Sequence, residues 1–204
     1  MIGEEIKRTA ISISVLGEST VGKTCICCAF LGLDFLDEYL STVGIEKMSS
    51  VLELENGKKI KVKLWDTAGQ ERFRSISVST LKNSQATIVV FDLTNKTTFS
   101  KVKYWLREIR DYSIKMPVCL FGNKSDLKNR EVTQDEIDNL CHEENLTYFE
   151  TSAKENKGIN EGITKITNIA YKLNENENIY KGEQLKTINV KDNNNNKKQK
   201  KKFC

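Results

Sequence analysis

No stretch of this sequence is apolar for long enough to cross a bilayer. The longest nearly apolar run, Cys25–Leu31, falls far short of the ~20 residues a spanning helix needs. Glu4 and Glu5 lie near the start and no apolar run follows Met1, so no secretory signal is expected. Glycine stands third rather than second (Gly3), which argues against myristoylation. The expected location is therefore cytosolic. Histidine is reduced to His142, without ligand-like neighbours, and the cysteines at 25, 27, 28, 119, 141 and 204 form no pair of CxxC units. That pattern excludes a disulfide framework or a zinc site, and predicts reduced, mostly buried thiols for the first five. Aromatic and basic residues are not interleaved in the body of the chain, so no nucleic-acid partner is expected. There is no internal repeat.

What remains is the composition of one ordinary soluble domain. The chain has 204 residues, 38% of them hydrophobic and 29% charged, enough for a full core. Its net charge of +4 is unevenly spread. Residues 186–204 hold seven Lys and one Asp, a net of +6, which leaves −2 for everything before them. A near-neutral body with a basic tail points to an anionic membrane surface more than to RNA.

Strand and helix signals alternate, predicting an α/β fold with a mostly parallel sheet covered on both faces. Six strands are predicted: Ile11–Leu16, Val51–Leu54, Ile60–Trp65, Thr87–Asp92, Pro117–Phe121 and Tyr148–Thr151. The second and third flank Asn56-Gly57, a hairpin signal, and form an antiparallel pair. Thr87–Asp92 is apolar throughout, as a strand buried on both faces requires. Helices are predicted over 23–31, 97–112, from Thr133 to about 144, and 159–173. In the second, Phe99, Val102, Trp105, Leu106 and Ile109 fall at helical spacing. Thr133 with Glu136 is a capping box. Beyond about residue 175 the chain is rich in Asn and Lys, including Asn193–Asn196, and cannot bury a core; it reads as a flexible tail.

Chemistry-bearing residues cluster at the ends of these strands. Gly17-Glu18-Ser19-Thr20-Val21-Gly22-Lys23-Thr24 matches G-x-x-x-x-G-K-[ST] between a strand and a helix. Its backbone N–H groups and the helix N-terminus suit phosphate. Lys23 can reach the β- and γ-phosphates, and Thr24 can ligate Mg²⁺. Asp66, at the end of the third strand, can hold the same ion from the opposite side. Next come Thr67-Ala68-Gly69-Gln70, in which Gly69 offers an unobstructed N–H to a γ-phosphate and Gln70 can orient an attacking water. Asn123-Lys124-Ser125-Asp126 follows the fifth strand. The Asp126 carboxylate can accept from guanine N1–H and the N2 amino group, a donor pair that adenine lacks. In Thr151-Ser152-Ala153-Lys154 a backbone N–H can meet the base O6. All of these lie at carboxyl ends of predicted strands, where open α/β sheets bind ligands. A P-loop kinase or ATPase accounts for 17–24 but leaves 123–126 and 151–154 without a role. A nucleotide scaffold that does not hydrolyse leaves Gln70, Gly69 and Thr42 without one.

Over about residues 9–173 the sequence resembles the Ras superfamily, and within it the Rab family of small GTPases. Trp65–Ile76 resembles the Rab switch II and Ser41–Glu46 the Rab switch I. Phe91-Asp92-Leu93-Thr94 and Val102–Ile109 are also Rab-like. The resemblance implies a P-loop G domain over 9–173, with 174–204 as a tail, that binds GTP or GDP with Mg²⁺ and hydrolyses GTP. It implies that Thr42 supplies a Mg²⁺ ligand, that Phe35 packs against the guanine, and that Cys25, Lys124, Leu127, Ser152, Ala153 and Lys154 join the nucleotide set. The implied role is a regulator of vesicle traffic. The implied partners are an exchange factor, a GTPase-activating protein, a GDP dissociation inhibitor and effectors. The tail and family suggest prenylation of Cys204 on the cytosolic face of a membrane. A Ran-like transport GTPase is disfavoured by the basic tail and terminal Cys. Three departures stand out: Lys47 where the family has Phe, Thr80 and Leu81 where it has two Tyr, and one terminal Cys instead of a pair.

Overall fold

A computed structural model describes residues 10–35, 45–67 and 80–176. Six strands form one sheet in the order β2-β3-β1-β4-β5-β6. These are β1 (Ala10–Leu16), β2 (Ile45–Glu53), β3 (Lys59–Thr67), β4 (Ala86–Asp92), β5 (Val118–Asn123) and β6 (Thr147–Glu150). Only β2 runs antiparallel, against β3. The helices are α1 (Lys23–Phe30), α2 (Lys96–Ser100), α3 (Val102–Tyr112), α4 (Gln134–Glu144) and α5 over 159–176. The chain forms two compact units, 1–168 and 169–204. The sheet lies wholly within the first; of the second, 169–176 are described as helix, with Tyr171 bonded to Glu175.

The predicted α/β sheet and its six strands are present, and the differences from the sequence reading have local causes. β2 begins at Ile45, six residues earlier than its apolar pattern suggested, because ladder pairing with β3 continues through the polar stretch Glu46–Ser50. The helix predicted over 97–112 is interrupted at Lys101, which ends α2 and precedes α3. It starts where the Asn95 side chain accepts from Thr97 N–H, an N-cap. The Thr133–Glu136 capping box forms in both directions at the head of α4. At the hairpin, Gly57 N–H donates to Leu54 C=O at 2.8 Å and Gly57 takes φ +76°. That left-handed residue explains why glycine follows Asn56 there.

Every residue of β4 is buried, as its apolar run predicts. On one side, Val89, Phe91 and Leu120 pack with Val102, Trp105, Leu106 and Ile109 of α3 and Ile137 and Leu140 of α4. On the other, Gly162 of α5 sits so close to the Phe121 ring that a Cβ would come within 2.4 Å of it. The sheet is thus covered on both faces. Starting from β1, the chain moves first toward β3 and then across to β4. This reversal opens a crevice at the carboxyl end of β1, where α/β proteins bind ligands.

Candidate nucleotide-binding site

The loop from Gly17 to Gly22 fills that crevice. Its backbone is bent into conformations that ordinary side chains avoid: Gly17 has φ +141°, Thr20 +63° and Gly22 +96°. For the β-branched Thr20 this is a strained geometry, of the kind that concentrates at ligand sites. Gly17 must be glycine for a second reason, since a Cβ would lie 2.2 Å from Val90 O. Lys23, at the first position of α1, folds back over the loop and donates to Gly17 O at 3.1 Å and Glu18 O at 2.7 Å. It is only 5% exposed. Burial pushes its ammonium down to about 8, with Asp66 and Glu18 pulling the other way. A buried cation bonded to neutral carbonyls suits an anionic phosphate, which would restore the charged form.

Thr24 Oγ1 donates to Asp66 Oδ2 at 2.6 Å, and Asp66 is fully buried. A hydroxyl and a carboxylate brought together beside the phosphate loop are the hard oxygen donors Mg²⁺ prefers. The residues present therefore fit the ion.

Asn123 joins three segments. Its Nδ2 donates to Val21 O at 2.9 Å. Its Oδ1 accepts from Ala153 N–H at 3.2 Å and Thr151 Oγ1 at 3.3 Å. The phosphate loop is thereby tied to both loops read as contacting the base. Ser125 N–H to Thr151 O, at 3.1 Å, links the latter two again. Asp126 accepts from Ser152 Oγ at 2.6 Å, which ties its side chain to the 151–154 loop. Lys124, at φ +67°, pairs with buried Asp92 at 2.6 Å. Lys154 Nζ stands 5.9 Å from the centroid of the Phe35 ring; Phe35 is 39% exposed. The contact brings Phe35 to the 151–154 loop. Leu127 is 44% exposed.

Gly17–Cys25, Phe35, Asp66, Asn123–Leu127 and Ser152–Lys154 are thus gathered at one end of the sheet. Thr42, Gly69, Gln70 and Cys204 lie outside the described residues. Sequence reasoning missed two supports. Trp105 Nε1 donates to Glu18 Oε1 at 3.0 Å, and Asp92 holds Lys124. Both look like ordinary core and strand-end residues in the sequence, because each acts across 30 residues or more of chain. Of the thiols, Cys27 and Cys119 are buried, whereas Cys25, Cys28 and Cys141 are half-buried. Burial pushes all five upward, keeping them neutral.

A phosphate loop at the switch point of the sheet, joined through one asparagine to a carboxylate-bearing base loop, defines a guanine-nucleotide-binding P-loop protein. A profile described as the Ras family matches residues 12–172. Human Rab-39A is 42% identical over 176 residues, covering 83% of this chain and 79% of that protein. SEC4 of Saccharomyces cerevisiae is 36% identical over 152 residues, covering 74% and 70%. Rab-13 of Bos taurus is 36% identical over 154 residues, covering 74% and 75%. The chain belongs to the Rab family of small GTPases, within the Ras family. It is a GTP-binding switch that hydrolyses GTP to GDP, one of a family that regulates vesicle traffic.

Proposed function

We propose that guanine nucleotide lies across the carboxyl ends of the central strands, with the residue roles read from the sequence. The observation that carries this reading is the Asn123 junction, which holds phosphate loop and base loop at a fixed separation. Backbone N–H groups of 17–24 meet the phosphates, and the Lys23 ammonium meets the β- and γ-oxygens. Asp126 accepts from the guanine edge, a backbone N–H of 151–154 donates to its O6, Phe35 packs against its rings, and Lys124 and Lys154 join the nucleotide set. Thr24 and Asp66 would hold Mg²⁺, joined by Thr42 in the GTP state. When bound, the ion neutralises phosphate charge developing in the transition state. Gly69 contacts the γ-phosphate and Gln70 orients the water.

The switch domain spans 9–173 and the Asn/Lys-rich segment 174–204 serves as its tether. Its regulators comprise an exchange factor, a GTPase-activating protein and a GDP dissociation inhibitor. The protein cycles between cytosol and the cytosolic face of an intracellular membrane. No helix among the described residues is long and apolar enough to cross a membrane. The basic tail and Cys204 attach the protein to that surface.

The deciding experiment is nucleotide competition. GTP should displace a fluorescent GDP from the wild type and ATP should not. Asp126→Asn should lose GTP affinity by up to roughly two orders of magnitude, matching the ~1–3 kcal/mol cost of an unpaired polar group, and should gain tolerance for xanthine nucleotide. Equal competition by ATP and GTP would overturn the assignment of the base loop.

A further inference from the structure

The two loops read as meeting the base are carried by strands that are held unequally. β5, which leads to Asn123–Leu127, lies between β4 and β6, and its residues from Cys119 to Asn123 are buried. β6, which leads to Thr151–Lys154, is an edge of the sheet. It has four residues, with Thr147 exposed and the other three half-buried, and it pairs with β5 alone. An edge strand has ladder bonds on one side only, so whatever holds its last residue also holds the loop that follows. That residue, Glu150, is met by Arg130, which stands four residues beyond Asp126. Arg130 Nη1 donates to Glu150 Oε2 at 2.7 Å. Its Nε donates to Val132 O at 2.8 Å and its Nη2 to Gln134 Oε1 at 3.2 Å. The guanidinium plane is thus held from three directions. Its own segment is anchored in turn, since the N–H groups of Glu131 and Val132 both donate to Leu93 O, at 2.9 and 3.2 Å. The Tyr148 hydroxyl donates to the same Glu150 oxygen at 3.4 Å.

We propose that Arg130 and Glu150 are positioning residues that set how firmly the guanine O6 is held. The proposal rests on the base reading given above. A guanine ring is rigid, so the Asp126 carboxylate and a backbone N–H of 151–154 can both meet it only if the two loops stand at one separation. Three contacts tie the loops directly: Ser152 to Asp126, Ala153 to Asn123 and Ser125 to Thr151. Arg130 acts on the strand end behind them, and its bond is the charge-assisted one, stronger than bonds between neutral groups. A hydrogen bond weakens steeply once its angle departs from line, so a small shift of the 151–154 loop costs the O6 contact before it costs nucleotide binding. The side chains of Arg130 and Glu150 are 35% and 34% exposed. Solvent screening at that exposure limits the pair to an effect of severalfold.

The test uses the full chain loaded with GDP or with 6-thio-GDP, in which a weakly accepting sulfur replaces O6. Release of each is followed during a chase with excess GTP. The wild type should release 6-thio-GDP faster than GDP. Arg130→Met keeps the length of the side chain but loses the pair. It should release GDP roughly fivefold faster, the upper effect of a partly exposed ion pair, and 6-thio-GDP little faster than the wild type does. The gap between the two nucleotides therefore narrows. Glu150→Gln should narrow it too, and Arg130→Met/Glu150→Gln no further than Arg130→Met alone, as expected of two groups in one contact. Arg130→Lys keeps the charge and should keep most of the gap. Equal acceleration of both nucleotides, or effects of the single variants that add, would overturn the proposal and leave the pair a purely structural one. So would an unchanged GDP rate in Arg130→Met. Failure of the base reading is seen separately, in the wild type: ATP chasing GDP as well as GTP does, or equal release of GDP and 6-thio-GDP, would remove the base contact and the positioning role with it.

Discussion

Trp105 shows how a single buried residue reaches the site without touching nucleotide. It is 7% exposed in the core beneath α3, yet its indole N–H holds the side chain of Glu18, whose own carbonyl receives Lys23. A hydrogen bond to a carboxylate is stronger than one between neutral groups. Trp105→Phe keeps an aromatic ring but removes the donor. GDP release should accelerate roughly tenfold, the equivalent of ~1.4 kcal/mol. Glu18→Gln retains an acceptor and should change release less. Stopped-flow measurement of fluorescent GDP dissociation checks both, and an unchanged rate in Trp105→Phe would show that the bond does not hold the loop in place. Gly22 poses a similar question at the other end of the loop. At φ +96°, an added Cβ would lie 2.4 Å from Asn123 Nδ2, the atom that donates to Val21 O. Gly22→Ala should therefore break the Asn123 junction, beyond the ~1–2 kcal/mol cost of a left-handed alanine. Titration with GDP should show at least a tenfold loss of affinity, roughly the ~1.4 kcal/mol or more that such strain implies.

At the scale of elements, α4 is anchored through its first turn. Glu136 bonds to Lys96 at 2.6 Å and completes the capping box with Thr133. These bonds, Lys96 foremost, hold its carboxyl down at about 2 from an ordinary 4.5. A depressed folded-state pKa means the stabilisation is complete above the unfolded value near 4.5. It is lost as pH falls toward 2. Glu136→Gln removes the titrating group, so the acid limb of the stability curve should flatten over that window. Urea midpoints of the GDP-bound proteins at about pH 6 and about pH 3 check this. If both proteins lose stability in parallel, the carboxylate does not link α4 to pH. Cap chemistry was legible in the sequence because Thr133 and Glu136 are three residues apart. The interruption at Lys101 was not. The apolar spacing of 97–112 continues through it, and the start of α2 is set by Asn95 and by Thr98 Oγ1 bonding back to Asp92 N–H.

For the whole molecule, the open question is attachment. The attachment proposed above rests on Cys204 and the lysines beside it. One lipid chain binds a membrane only reversibly. Lys197, Lys198, Lys200, Lys201 and Lys202 would add ~1 kcal/mol each near an anionic surface. Cys204→Ser should shift the protein from membrane to cytosolic fractions, and the wild type from its own cells should carry the mass of a geranylgeranyl group. An unmodified mass, with the same distribution for both proteins, would reject lipid attachment.

The sequence by itself determined the class of fold and the chemistry of the ligand. Those signals are local: a glycine-rich loop between strand and helix, an Asp after a buried strand, alternation of period two and of period 3.6. Each needs only neighbouring residues to be recognised. Tertiary structure alone decided which of them act together. It took Asn123 across 102 residues to Val21, Trp105 across 87 to Glu18, and Thr24 across 42 to Asp66. It also brought Arg130 to Glu150 at the end of β6. Pairing between distant segments depends on sheet order and register, which arise from burying all the strands at once, and no short stretch of sequence encodes that outcome.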